Sequence, residues 1–154
     1  MIDPFLCSAK PRPAFGRGGG FSMRVAATRQ GVRRALVRIV AELRRTGVNE
    51  AHYGTVEIVL AEAMNNVVEH AYSDRTGGEI RLLVAHGPEG TLLQLRDRGA
   101  PLDWVGEQPY GRPPHPETLP EGGFGWPLIR LLSENCHYQR RNGENCLSIT
   151  ISLS

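Results

Sequence analysis

The chain has 154 residues, which is enough for one domain with its own hydrophobic core. Its formal net charge of +2 is too small to favour direct binding to nucleic acid or to a membrane surface. Hydrophobic residues make up 40% of the chain, yet no apolar run reaches the roughly 20 residues of a spanning helix and no secretion signal is evident, so the expected location is the cytoplasm.

Residues 1–21 are predicted to be a disordered or extended tail, because they are rich in Gly, Pro and Arg and lack periodicity. Residues 22–154 are predicted to form the folded domain. A first strand is expected near residues 21–27. Thr28 then favours the start of a helix that ends before Gly47. The apolar stripe of this helix contains Val32, Leu36, Ile39, Val40 and Leu43.

Arginines cover the other side of this first helix. They are Arg29, Arg33, Arg34, Arg38, Arg44 and Arg45. Such a set is typical of a solvated helix face, and it also suits contact with an acidic partner.

The second helix is expected from about Glu50 to Tyr72, followed by two strands. In the second of these strands, Leu93 and Leu95 alternate with polar residues and Asp97 follows in phase. Asp97 should therefore point to the apolar face, where a carboxylate needs hydrogen bonds. From Leu102 to Glu121 periodicity is lost, which is typical of a functional lid.

A short helix is expected from about Trp126 to Glu134, and a hairpin should close the domain. The pair Asn142-Gly143 is a strong signal for a two-residue turn. That turn places Cys136 and Cys146 on opposite faces of the hairpin. We therefore expect these two cysteines and Cys7 to be free thiols. The order of elements predicts an α+β fold: a two-layer sandwich with one mixed sheet and helices on one face.

Three blocks of residues carry the chemistry, and the first lies on the second helix. Glu62, Asn66 and His70 are spaced by four, so they share one helix face. A glutamate there can act as a general base, and an asparagine can offer a carbonyl oxygen to Mg²⁺. A polar, solvated helix face has the same pattern. Two asparagines in a row, Asn65 and Asn66, are nevertheless unfavourable in mid-helix and need a reason.

The second block runs from Asp97 through Gly99 to Pro101 at the end of a strand. An ionised aspartate can accept a hydrogen bond from an exocyclic amine such as that of adenine, and a glycine allows close approach of the backbone to a ligand. An ordinary turn with a solvated aspartate would look the same.

The third block is the glycine-rich segment Gly122, Gly123, Phe124 and Gly125, which precedes a helix. Free backbone N–H groups at a helix start can bind phosphate. The segment is not a P-loop, since no Gly-Lys-Ser/Thr follows.

Together, the three blocks resemble the boxes of the GHKL ATPase/kinase superfamily, and more narrowly those of the RsbW-like anti-sigma-factor serine/threonine kinases. The first box of that group, Glu-Ala-x-x-Asn-x-x-x-His-Ala, is matched from Glu62 to Ala71. The second, Asp-x-Gly-x-Pro/Gly, is matched from Asp97 to Pro101. The third, Gly-Gly-x-Gly-Leu, is matched from Gly122 to Gly125, with Trp126 in place of Leu. The resemblance implies the Bergerat ATP-binding fold over residues 21–153.

The resemblance also implies roles for single residues. Glu62 would be the catalytic base and Asn66 the Mg²⁺ ligand. Asp97 would contact adenine, and Gly99 would let the chain pass the base. The remaining ATP-binding residues would be Pro101, Gly122, Gly123, Phe124 and Gly125.

For function, the resemblance implies a protein serine/threonine kinase that uses ATP and Mg²⁺. It would phosphorylate a STAS-domain anti-anti-sigma protein, sequester a sigma factor, or do both, and a homodimer is one expectation. The alternative is a nucleotide-dependent partner-binding module with little or no kinase activity. A sensor histidine kinase is less consistent with the sequence, because no dimerisation helix pair precedes the ATP-binding part.

Overall fold

The computed structural model describes residues 19–72, 76–88, 90–102 and 125–152. Within these ranges, five strands form one sheet in the order β1-β2-β3-β5-β4. The strands are β1 (Gly20–Ala26), β2 (Glu79–Gly87), β3 (Gly90–Asp97), β4 (Asn135–Arg141) and β5 (Glu144–Ser152). The α+β class predicted from the sequence is confirmed. No helix among the described residues is long and apolar enough to cross a membrane.

The sheet differs from the expected mixed sheet, because all four strand pairings are antiparallel. Two helices separate β1 from β2, and these neighbouring strands run antiparallel. One helix separates β3 from β4, which makes these two strands parallel in direction. They are not neighbours, however, because β5 lies between them and pairs antiparallel with both.

Helix α1 (Arg29–Thr46) begins and ends where local signals predict. The Thr28 side chain accepts a hydrogen bond from the Gly31 N–H at 2.9 Å, which caps the first turn. Gly47 follows the helix with φ +83°, a conformation that glycine adopts without a steric cost. Ile39 and Leu43, both on the predicted apolar stripe, are fully buried. The arginines of the opposite side are exposed.

The second predicted helix is divided into three parts. A 3₁₀ turn (Glu50–His52) leads into α2 (Tyr53–Asn66), and a π-helical turn (Val67–Ala71) ends it. The apolar positions of α2 pack into the core as predicted, with Val56 and Leu60 at 0% exposed. The change of helix type occurs directly after the Asn65–Asn66 pair. Helix α3 (Gly125–Leu132) packs against α2.

The core lies between the helices and one face of the sheet. On β3, Leu93, Leu95 and Asp97 point to that core, with 0%, 1% and 3% of each residue exposed, as the alternation predicts. The final hairpin has the predicted register, with Arg141 opposite Glu144. Both turn residues have positive φ, as the Asn-Gly signal requires.

One expectation about the cysteines is wrong. Cys136 is a free thiol, but Cys146 is disulfide-bonded, to a partner outside the described residues. The hairpin geometry excluded only the pairing of these two cysteines with each other, and it had no bearing on a bond to a distant segment. The expected lid, residues 102–121, also lies outside the described residues except for the buried Leu102, as does nearly all of the expected tail.

Candidate functional site

The first block of predicted site residues is carried by α2 and the π-helical turn. Glu62 is half-buried one turn before Asn66, which is the last residue of α2. The Nδ2 atom of Asn66 is buried and has no hydrogen-bond partner among the described residues. A buried amide without a protein partner is costly. A polar atom of a bound ligand could supply that partner.

The π-helical turn changes the expected geometry of this block. Spacing by four would place His70 on the face of Glu62 and Asn66, but the wider turn begins at Val67 and rotates the following residues. His70 is exposed. Glu62 and Asn66 therefore lie on regular α-helix, whereas His70 lies in the π-helical turn. Single π-helical turns occur frequently at functional sites.

The second block forms a tight turn directly after β3. Asp97 Oδ1 accepts a hydrogen bond from the Gly99 N–H at 2.8 Å. Gly99 is buried, whereas Pro101 is exposed. A Cβ atom at position 99 would lie 2.5 Å from the Ala71 carbonyl oxygen, so only glycine fits here. The glycine therefore serves close packing of the loop against the helix.

Residues of the final hairpin hold this turn in place, and sequence reasoning did not find them. Asn145 of β5 donates from Nδ2 to Asp97 Oδ1 at 3.0 Å and to the Ala100 carbonyl at 2.8 Å. Its Oδ1 accepts from the Tyr138 hydroxyl and from Arg140 at 2.8 Å. Arg140 also donates to the Gly99 carbonyl at 2.9 Å. The buried Asn145 thus uses both ends of its amide to fix the backbone around Asp97.

The first two blocks meet at the end of the π-helical turn. The Ala100 N–H donates to the Ala71 carbonyl at 2.8 Å, and the Arg98 N–H donates to the Tyr72 hydroxyl at 3.1 Å. The first bond satisfies a carbonyl at a helix end that has no partner within the helix. The loop after β3 and the helix that carries Glu62 are therefore joined into one wall.

Burial raises the pKa of the Asp97 carboxyl above its ordinary value. The hydrogen bonds from Gly99 and Asn145 act in the opposite direction, as does the nearby positive charge of Arg140. Asp97 is thus a desolvated carboxyl group whose charge is costly unless it is well hydrogen-bonded. A buried acid with fixed geometry at the end of a strand is suited to recognising a donor on a ligand.

The third block is described only at its last residue. Gly125 is the first residue of α3, which packs against α2. Gly122, Gly123 and Phe124 lie outside the described residues. The predicted placement of these glycines around phosphate is therefore still a prediction.

The donor set fits a magnesium ion that is shared with a nucleotide. The described residues contain no group of three or more His, Cys, Asp or Glu side chains that could hold a metal by themselves. Mg²⁺ in nucleotide sites keeps several waters and takes only one or two protein ligands beside phosphate oxygens. Asn66 would hold the ion through its Oδ1, and its buried Nδ2, which has no partner among the described residues, is a donor suited to a phosphate oxygen and not to the ion.

Comparison with known proteins agrees with the fold and with the predicted family. Residues 23–151 match the family described as "Histidine kinase-like ATPase domain". The serine-protein kinase RsbW of Oceanobacillus iheyensis is 29% identical over 125 residues, which cover 79% of each chain. The serine/threonine-protein kinase BtrW of Bordetella bronchiseptica is 31% identical over 99 residues, or 62% of this chain and 68% of that protein.

A solved structure supports the fold. The RsbU and RsbW domains of a Mycobacterium tuberculosis protein superpose on this chain with a TM-score of 0.58 at 15% identity. The match covers 87% of this chain and 32% of that longer one. With the family match, the antiparallel sheet and the helices on one face, the GHKL prediction is confirmed, and the chain belongs to the histidine kinase-like ATPase domain family.

Proposed function

We propose that this protein is an ATP-dependent serine/threonine protein kinase that acts as an anti-sigma regulatory factor. The observation that carries the proposal is the joined wall of α2 and the β3 loop. It combines a half-buried Glu62, an unpartnered Asn66 amide and a buried Asp97 carboxyl in a family of ATPase domains. The names of the relatives RsbW and BtrW support the choice of serine or threonine as the acceptor.

Adenine recognition is assigned to Asp97. Both hydrogen bonds that described residues donate to its carboxyl group go to Oδ1. Oδ2 can therefore accept a hydrogen bond from the exocyclic amine of adenine. Because Asn145 and Gly99 fix the carboxyl group before a ligand arrives, little conformational entropy is lost on binding.

Phosphoryl transfer is assigned to Glu62. Its carboxylate takes the proton of the acceptor hydroxyl while that oxygen forms a bond to the γ-phosphorus of ATP. The bond from the γ-phosphorus to the β–γ bridging oxygen breaks, and ADP leaves. Mg²⁺, held by Asn66 and the phosphates, would neutralise the negative charge on the phosphate oxygens.

The test measures phosphate transfer from radiolabelled ATP to a candidate STAS-domain anti-anti-sigma protein. Glu62→Gln should lower the transfer rate by about 10²–10⁴-fold, the usual contribution of a general base. Glu57→Gln is the matched control, since Glu57 is exposed on the same helix. Nucleotide binding by the Glu62 variant should stay close to that of the wild type. An unchanged transfer rate in Glu62→Gln would show that Glu62 is not the general base.

A second function, nucleotide-dependent capture of a partner, is favoured by the surface of α1. A groove of about 290 Å³ runs between α1 and α2, and its lining includes Arg29, Arg33, Leu36 and Glu69. Val37, on the exposed side of α1, is 74% exposed among the arginines. Apolar surface next to guanidinium groups suits an acidic partner segment with some apolar side chains, and a sigma factor is the proposed partner.

Capture and catalysis can be separated with one pair of variants. Charge reversal at Arg33 and Arg34 together should weaken sigma-factor retention in a pull-down, while ATP binding is unchanged. Glu62→Gln should retain the partner and lose transfer. A sigma factor that binds both variants and the wild type equally, with and without nucleotide, would contradict the assignment of this surface.

The cytoplasm is the proposed location, because a kinase of this type needs ATP and partners that regulate transcription. The disulfide bond of Cys146 is unusual for that compartment, in which thiols are kept reduced. Cell fractionation with an antibody against the protein measures the location directly.

A further inference from the structure

The side-chain amide of Asn145 uses all of its hydrogen-bonding capacity beside Asp97. Its Nδ2 group donates to Asp97 Oδ1 at 3.0 Å and to the Ala100 carbonyl at 2.8 Å. Its Oδ1 atom accepts from the Tyr138 hydroxyl and from Arg140 Nη1, the latter at 2.8 Å. An amide has two N–H donors and two acceptor lone pairs, so each of them is occupied. Asn145 is only 1% exposed, and water therefore has little access to these bonds.

Only one orientation of this amide is compatible with its neighbours. A guanidinium group can only donate hydrogen bonds, and a backbone carbonyl can only accept them. Exchanging the oxygen and the nitrogen of Asn145 would set its NH₂ group against Arg140 and its oxygen against the Ala100 carbonyl. Both contacts would then be repulsive. Arg140 on one side and Ala100 on the other therefore fix the direction in which the Asn145 amide donates.

The Tyr138 hydroxyl supports the same orientation. It accepts a hydrogen bond from the Leu102 N–H at 3.0 Å. Its other contact is the Oδ1 atom of Asn145, and an amide oxygen can only accept. The hydroxyl proton of Tyr138 is therefore directed to Asn145. Strand β4 supplies both donors to this amide oxygen, because Tyr138 and Arg140 are alternate residues of the strand and share one of its faces.

The fixed amide decides which oxygen of Asp97 can carry a proton. Asp97 Oδ1 accepts from the Gly99 N–H at 2.8 Å and from the Asn145 amide. A proton on Oδ1 would face these two donors, so protonation of this carboxyl group is confined to Oδ2. An ionised Oδ2 accepts a hydrogen bond, whereas a protonated Oδ2 donates one. The charge state of Asp97 therefore determines whether a ligand must offer a donor or an acceptor.

Arg140 also acts on the charge of Asp97. Burial raises the pKa of the Asp97 carboxyl, and the hydrogen bonds from Gly99 and Asn145 lower it. The positive charge of Arg140 lowers this pKa further, while the negative charge of Glu144 acts in the same direction as burial. Loss of the Arg140 guanidinium would therefore weaken two things, the orientation of the Asn145 amide and the ionised form of the carboxyl group.

We propose that Tyr138 and Arg140 are positioning residues that make the site select a 6-aminopurine nucleotide over a 6-oxopurine nucleotide. They act through Asn145, which holds Asp97 with Oδ2 as an acceptor. The exocyclic amine of ATP then donates to Oδ2, whereas the C6 carbonyl of ITP would meet a negative charge in the same place. This inference rests on the proposed assignment of adenine to Asp97, and it adds two residues of β4 that determine the specificity through another side chain.

The test measures the dissociation constants of ATP and of ITP, each with Mg²⁺, by calorimetry on the full chain at pH 7. The wild type should bind ATP at least about tenfold more tightly than ITP, because a site built to accept a hydrogen bond rejects a ligand that lacks the donor. Arg140→Met and Tyr138→Phe should each lower this ratio at least about threefold through weaker ATP binding. The ITP affinity of both variants should stay close to that of the wild type, which would show that the site is still folded.

Two further variants serve as controls. Arg141→Met should keep the wild-type ratio, since Arg141 is the next residue of β4 and is exposed. Arg140→Lys retains the positive charge and a donor, so it should recover part of the preference that Arg140→Met loses.

Two results would overturn the inference. One is an unchanged ratio in both Arg140→Met and Tyr138→Phe. The other is an equal loss of ATP and ITP affinity in these variants, because that would show a structural role only. In either case the wild type would still prefer ATP, so the proposed function would stand. A wild type that binds neither nucleotide would contradict the proposed function, and the inference with it.

Discussion

At the scale of single residues, Asp97 depends on partners that are far from it in the sequence. Asn145 lies 48 positions away and is bonded to it in the fold. The alternation of β3 predicts that Asp97 points inward, and the structure confirms this. The partner could not be predicted, because it depends on β5 lying beside β3. Once that pairing is known, the register places Asn145 directly opposite Asp97.

The variant Asp97→Asn separates the effect of the buried charge on folding stability from its effect on nucleotide binding. Burial raises the pKa of Asp97, so the folded state binds a proton more readily than the unfolded chain, and ionisation lowers stability as the pH rises through the folded-state pKa. The variant keeps the Oδ1 acceptor and loses the charge. At pH 7 we expect its Tm to be at or above that of the wild type, with adenine-nucleotide affinity reduced at least about tenfold.

Thermal unfolding at several pH values checks this prediction. The Tm advantage of the variant should shrink as the pH falls towards 3.8, the ordinary pKa of the carboxyl group, since both proteins are then uncharged at this position. A variant that is several degrees less stable at pH 7, with a difference independent of pH, would contradict the prediction.

At the scale of elements, local signals predicted best. The Thr28 cap, the Gly47 stop and the Asn142-Gly143 turn each depend on a few adjacent residues, and the structure confirms all three. The π-helical turn was missed, because no simple pattern distinguishes it from a continuing α-helix. Two adjacent asparagines were the available signal. These asparagines end α2, and the π-helical turn that follows them ends at Ala71, which contacts the β3 loop.

Gly99→Ala tests the contact between these two elements. The new Cβ would lie 2.5 Å from the Ala71 carbonyl oxygen, so the loop must move away from the π-helical turn. We expect a loss of about 1–3 kcal/mol in the free energy of unfolding, measured by urea denaturation. Gly54→Ala in α2 is the control. A Cβ there meets nothing within 4 Å, and helix propensity predicts a gain of about 0.5–1 kcal/mol. Equal effects of the two changes would show that the contact is unimportant.

At the scale of the whole molecule, the candidate site combines residues from three parts of the fold. α2 supplies Glu62 and Asn66, β3 supplies Asp97, and the hairpin supplies Asn145. The class of the fold was predicted from the sequence, whereas the binding roles of the first two blocks are still predictions. The order of the strands could not be predicted, because pairing between distant segments leaves no local pattern in the sequence. The expectation of a mixed sheet was wrong for the same reason.

Ligand binding at this candidate site should raise the thermal stability of the protein. ATP with Mg²⁺ at about 100 times its Kd should stabilise the fold by about 2.7 kcal/mol, equivalent to a Tm rise of roughly 5–10 °C. Removing Mg²⁺ with a chelator should abolish part of that rise. Asn66→Ala should lose the Mg²⁺-dependent part, whereas Asn65→Ala, at the exposed neighbouring position, should keep it. A Tm rise that is insensitive to the chelator would contradict the Mg²⁺ role of Asn66.

The position of β5 has a consequence during synthesis of the protein. This strand lies between β3 and β4, although it is the last of the five described strands to be synthesised, at residues 144–152. Until those residues leave the ribosome, β3 and β4 both present unpaired backbone edges, which attract other strands and favour aggregation. A nascent chain that stops before residue 144 also lacks Asn145, so it cannot hold Asp97 in place. We therefore predict that nucleotide binding requires a translated chain that extends through β5.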